Sequence, residues 1–205
     1  MEVLAVANIR GGGEYGKAWH NAGRLDTKQN VFDDFLYASK FLEDNAIGNR
    51  KSTVISGRSN GGLLVGTTLV QNPNYFGAAL PAVGVMDMIR FTEFTEGWGW
   101  RGDYGYPILD QNDFQRNLKI SPYHQTKIDV CYSPTLTTTA RRDDRVVPSH
   151  SYKFTARLQE YQGCANPVML YDAPRAGHGS GNGMAMPKWK RIELFSIEQS
   201  FALKN

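Results

Sequence analysis

A mostly parallel α/β sheet flanked by helices is the architecture this 205-residue sequence predicts. Three observations carry it. Short apolar runs of strand length alternate with longer segments whose apolar residues recur at helical spacing. One β-branched run leads directly into a glycine-rich turn and then an apolar helix. Behind that turn, two later strand-like runs are followed by an acidic pair and by a glycine-flanked histidine.

Taken in order, Val3 to Ala7 is a continuous apolar run, which suits a strand buried on both faces. From Gln29 to Asn45, Val31, Phe35, Ala38, Phe41 and Leu42 fall on one helical face, with Gly48 as a stop. Ser52 to Ser56 reads as a strand, and Leu63, Leu64, Val65 and Leu69 follow on a buried helix. Ala78 to Val83 is another apolar run, and Pro134 to Thr139 is threonine-rich and extended. Ser149 to Gln162 carries Phe154, Leu158 and Tyr161 at helical spacing. Val168 to Tyr171 is the last strand, and Trp189 to Leu203 a C-terminal helix. Residues 84–130, rich in Gly, Trp and Tyr, read as an excursion over one face.

Composition narrows the function. Residues 1–205 make one domain, with an ordinary apolar share of 41% and a net charge of +3. Basic residues are scattered, which argues against nucleic acid. No stretch reaches the ~18 apolar residues of a membrane span, and the N-terminus lacks the basic start of a signal peptide. Cys131 and Cys164 match no zinc spacing and read as two reduced thiols in a cytoplasmic protein. No metal site and no cofactor is expected.

Gly57-Arg58-Ser59-Asn60-Gly61 satisfies G-x-S-x-G between a strand and a helix. In this setting the serine sits on a sharp, strained turn with its hydroxyl exposed at the sheet edge. Small neighbours let the chain pass close by. The backbone N–H of Asn60, next to the serine, is placed to donate to an oxyanion. An α/β-hydrolase fold orders its remaining members Ser…Asp/Glu…His. His20 precedes Ser59 and fails that order; His124 lies in the excursion and His150 starts a helix. His178, in Ala176-Gly177-His178-Gly179-Ser180-Gly181, fits a general base on a loop. Asp143 and Asp144 both follow a strand and precede Val146-Val147-Pro148, and spacing alone does not choose between them. One of them would hold the histidine in its productive tautomer.

Together these segments resemble the prolyl oligopeptidase family. The resemblance rests on Asn8-Ile9-Arg10-Gly11-Gly12-Gly13-Glu14-Tyr15-Gly16, Ser59-Asn60-Gly61-Gly62-Leu63-Leu64, Gly84-Val85-Met86-Asp87-Met88, Asp143-Asp144-Arg145-Val146-Val147-Pro148 and Ala176-Gly177-His178-Gly179. It implies a serine endopeptidase cleaving short peptides after proline, with Ser59 as nucleophile, His178 as base and Asp143 as third member. It also implies that Trp100 stacks on the substrate proline ring and that Arg145 holds a backbone carbonyl. Asn60 would supply one oxyanion donor.

Three departures from the family pattern stand out. Arg58 occupies a position usually held by a small residue, where it would crowd the turn or point to solvent. Arg141-Arg142 puts two cations beside Asp143. By the same resemblance the sequence is expected to begin inside the hydrolase domain, without the family's β-propeller, its first strands or an upstream tyrosine that supplies the second oxyanion donor. That predicts an exposed apolar sheet edge open to association. A catalytically inactive fragment is accordingly the rival reading, with a serine esterase behind it. A dinucleotide site at Gly11-Gly12-Gly13-Glu14-Tyr15-Gly16 is disfavoured, because Lys17 to Asn30 is polar and interrupted by Gly23.

Overall fold

The computed structural model describes residues 3–181 and 187–205. In chain order the helices and strands are α1 (Gly16–Asn21), α2 (Gln29–Asp44), β1 (Val54–Arg58), α3 (Asn60–Gln71) and β2 (Ala78–Ala82). The excursion carries α4 (Arg101–Tyr104), α5 (Gln111–Ile120) and α6 (Pro122–Gln125). Then come β3 (Thr135–Ala140), α7 (Ser149–Tyr161), β4 (Val168–Ala173) and α8 (Lys188–Lys204).

The four strands pair in the order β1-β2-β3-β4, all parallel. Parallel neighbours need long crossovers. α3 and α7 supply two of them and the excursion the third. Alternation along the strands assigns the two faces. Ala79 packs with Val65 and Leu69 of α3 and with Phe154 and Leu158 of α7. Its neighbours Ala78 and Leu80 point the other way, onto Phe201 of α8 together with Leu136. Helices therefore cover both faces, as a parallel sheet requires. Pro81 interrupts β2: Ala79 N donates to Pro134 O and Val83 N to Thr138 O, and proline has no N–H to give between them.

Two expectations fail here. Residues 3–7 form no strand, and Val3, Leu4 and Val6 lie exposed. A strand of the parallel-sheet type needs ladder partners, and β1, the nearest in sequence, pairs only with β2 among the described residues. The two cysteines are not free thiols but a disulfide, Cys131–Cys164. Although 33 residues apart, they are brought together by an isolated bridge between Val130, in the segment leading to β3, and Gln162, just after α7. The excursion is also more ordered than expected. Asp110 caps α5 by accepting the Asp113 amide at 2.9 Å, a helix-start signal present in the sequence. Among the described residues no helix is long and apolar enough to cross a membrane.

Candidate active site

The site is built at the carboxyl ends of β1 and β3. Ser59 follows β1 and adopts φ 58° and ψ −118°, a left-handed backbone that a non-glycine residue rarely takes. The turn is held on both sides: Ser59 N donates to Ala82 O at 2.9 Å, and Leu63 N donates to Ser59 O at 3.1 Å. Its tightness explains the glycines. A Cβ at Gly57 would lie 2.3 Å from Gly61 O. Asn60 opens α3, so its amide has no acceptor inside the helix by position. Its side-chain Oδ1 accepts the Tyr104 hydroxyl at 2.6 Å.

Asp143 lies in the turn after β3, where it is 3% exposed. Its Oδ1 accepts the amides of Arg145 at 3.0 Å and Val146 at 2.9 Å, which fixes the carboxylate. Its Oδ2 lies 2.8 Å from His178 Nδ1. His178 stands in a short 3-10 turn, His178–Gly181, beyond β4. Its Nε2 lies 2.8 Å from Ser59 Oγ. Because Asp143 can only accept, the network assigns the proton to Nδ1 and leaves Nε2 free to accept from Ser59. Asp144, next in the chain, is exposed and makes no such contact.

Two of the arginines near the site have partners of their own. Arg141 turns outward to Asp172, with Nη2 2.9 Å from Oδ2. Arg58 neither crowds the turn nor points freely to solvent; its Nη1 faces Glu198 of α8 at 4.0 Å. Burial pushes the Arg58 guanidinium down and the Glu198 carboxyl up, each opposed by the charge of the other.

Trp100 ends a 3-10 turn, Gly97–Trp100, and stacks on Phe91 with ring centres 6.4 Å apart and planes 10° from parallel. It packs against a buried cluster that includes Leu63, just after the serine turn, and Val146, just after Arg145. Arg145 has an exposed side chain with no hydrogen-bond or ion-pair partner among the described residues. Its carbonyl accepts the Thr95 hydroxyl at 3.4 Å, so the loops bearing Trp100 and Arg145 touch. The remaining histidines are engaged elsewhere. His20 Nδ1 sits 2.9 Å from Gly11 O and His124 Nδ1 2.8 Å from Ser121 Oγ. His150 is buried and pushed down to about 4, accepting the Asp87 amide at 3.2 Å.

Sequence reasoning assigned no role to three further groups, of which Tyr104 touches the site. Tyr104 contacts Asn60 and carries the Lys28 ammonium 4.9 Å from its ring centre. Burial pushes Lys28 down to about 8 at the wall of a cavity of about 280 Å³. Asp87, 1% exposed, accepts from the Ile89 and Arg90 amides and from Lys153 Nζ at the head of the excursion. The acid inside the apolar run Val85-Met86-Asp87-Met88 was the available signal. Among the described residues no group of three metal-ligating side chains occurs.

Residues 2–203 match the model of the prolyl oligopeptidase family. The chain is 45% identical over 195 residues to a prolyl endopeptidase of Elizabethkingia miricola, covering 95% of this chain and 28% of that protein. It is 45% identical over 183 residues to the dual function macrocyclase-peptidase POPB of Amanita bisporigera, covering 87% and 25%. Among solved structures, prolyl oligopeptidase B from Galerina marginata bound to a 35mer hydrolysis and macrocyclization substrate superposes with a TM-score of 0.88 at 38% identity, over 96% of this chain and 27% of that one. The chain thus spans little more than a quarter of the length of these relatives. It belongs to the prolyl oligopeptidase family.

Proposed function

We propose that residues 1–205 form part of the catalytic domain of a serine endopeptidase that cleaves short peptides after proline. The observation that carries this reading is the unbroken chain from Ser59 Oγ through His178 to Asp143, with both contacts at 2.8 Å. The relatives' names supply the proline preference.

The geometry fits acyl transfer. His178 Nε2 takes the Ser59 proton as Oγ attacks the carbonyl carbon, and the carbonyl oxygen becomes an oxyanion facing the Asn60 amide. Asp143, fixed by two backbone amides, holds the Nδ1 proton and stabilises the imidazolium. The imidazolium gives its proton to the leaving amine as the C–N bond breaks. Water then repeats the sequence on the acyl-enzyme and frees Ser59. No step calls for a metal or organic cofactor. Trp100 offers a flat indole to the pyrrolidine ring, and the unengaged guanidinium of Arg145 offers paired donors to a peptide carbonyl. Among the described residues β1 and β4 are the outer strands, and Met169 and Leu170 on β4 are exposed, so association through a sheet edge belongs to the same reading.

The test is covalent labelling by a fluorophosphonate, with Ser59→Ala beside the parent. Labelling of the parent alone supports the reading. A folded parent that stays unlabelled refutes it and leaves a non-catalytic segment of a peptidase.

A further inference from the structure

Arg58 and Glu198 play no part in the acyl-transfer scheme, yet they meet directly beneath it. The strand register places them. Arg58 pairs with Ala82 across β1 and β2, and Ala82 pairs with Thr138 across β2 and β3. Directly paired residues of parallel strands project to the same face. Arg58, Ala82 and Thr138 therefore form one row at the carboxyl edge of the sheet, on the face covered by α8. The middle position is only a methyl group, which leaves room above it.

Glu198 fills that room. On α8 the stripe turned to the sheet includes Ile197, Phe201 and Ala202, and Glu198 is the acid among them. Its carboxylate meets Arg58 Nη1 at 4.0 Å and accepts the Thr138 hydroxyl at 3.4 Å. Side-chain exposures of 28% for Arg58 and 18% for Glu198 put the pair half out of water, where screening by salt is weaker than at an open surface. Both ends of the row lead into the site. Arg58 is bonded to Ser59, and Thr138 lies on the strand that ends in the turn bearing Asp143. Ser59 N and Val83 N donate to the carbonyls of Ala82 and Thr138, so the backbone of the same row anchors the serine turn.

We propose that Arg58, Glu198 and Thr138 form a polar clamp through which α8 fixes the spacing between the Ser59 turn and the Asp143 strand, making Arg58 and Glu198 positioning residues. This rests on the peptidase reading of Ser59, and it assigns a working part to an arginine that departs from the family pattern. Reversing both signs keeps the attraction within the pair, although it also turns a negative charge toward Asp143, whereas simple packing gains nothing from the reversal.

The experiment is a charge swap. Arg58→Glu, Glu198→Arg and the double variant are compared with the parent for fluorophosphonate labelling, read as probe binding and bond formation separately, and for the urea midpoint. Each single variant is expected to slow bond formation about tenfold with probe binding little changed, and the double variant to return within about threefold of the parent. A double variant as slow as the two singles combined overturns the clamp, as do singles that react at the parental rate. If the parent itself does not label, the peptidase reading fails on its own. The clamp is then judged by the urea midpoints: recovery in the double variant sustains it, and additive losses overturn it.

Discussion

Asp87→Asn removes one charge and almost no volume, so its effect isolates electrostatics. Asp87 Oδ1 accepts the Ile89 and Arg90 amides at 3.2 and 3.1 Å, and Oδ2 accepts Lys153 Nζ. An asparagine has two orientations here and both are wrong: its NH2 faces either the Lys153 ammonium or the two backbone amides. Breaking a buried pair costs about 3–5 kcal/mol. Lys153 is 33% exposed and can recover water, so the expected loss is nearer ~2 kcal/mol. With a urea slope of about 2 kcal/mol per molar, the midpoint falls by about 1 M. The sign with pH follows from Asp87's environment. Burial acts to raise its carboxyl, but the bond and charge of Lys153 and the Arg90 amide outweigh it, and the group titrates below the usual carboxylate range. A depressed carboxyl contributes stability above its unfolded value near 3.9 and loses it as pH falls through the folded value. The carboxyl's own share of the gap between parent and variant is therefore fully present at pH 7 and is lost below about pH 4. A gap under about 0.5 kcal/mol at pH 7, or one that widens below about pH 4, would falsify the account.

Three further outcomes follow from separate parts of the molecule. Asp143→Asn should keep the fold and lower kcat by about 10⁴, since an amide turned to His178 favours the wrong tautomer; turnover of a proline peptide beside a melting curve checks this. Gly62→Ala would place a Cβ 2.4 Å from Ala82 O and 2.8 Å from Gly84 Cα, both backbone, so α3 must lift from β2 at a cost of about 1–3 kcal/mol in urea unfolding. Lys28→Met should stabilise the protein at pH 7 by about 1–2 kcal/mol, because the buried ammonium is pushed down to about 8. The unfolded chain holds that proton up to about pH 10.4, so the parent gains on the variant from about pH 8 upward, and equal stabilities throughout would count against it.

What the sequence made legible depended on the range of the physics involved. The elbow was readable because its requirements are local: a β-branched strand, glycines where Gly57 and Gly61 nearly touch, and an apolar helix, all within twenty residues. The choice between Asp143 and Asp144 was not readable from spacing. It depends on which carboxylate the turn buries against the amides of Arg145 and Val146, a difference of one residue in a loop. Val3 to Ala7 shows the converse, since an apolar run states a preference for a sheet but cannot supply neighbouring strands, and here those residues lie exposed. The thiols were misread because pairing of Cys131 with Cys164 depends on where α7 returns beside β3, a tertiary fact. Arg58 lies between these cases. Its place beside the serine was visible in the motif, but its partner lies 140 residues away, on the face of α8 turned to the sheet. The strand register puts Arg58 in one row with Thr138, and Glu198 of α8 reaches both of them.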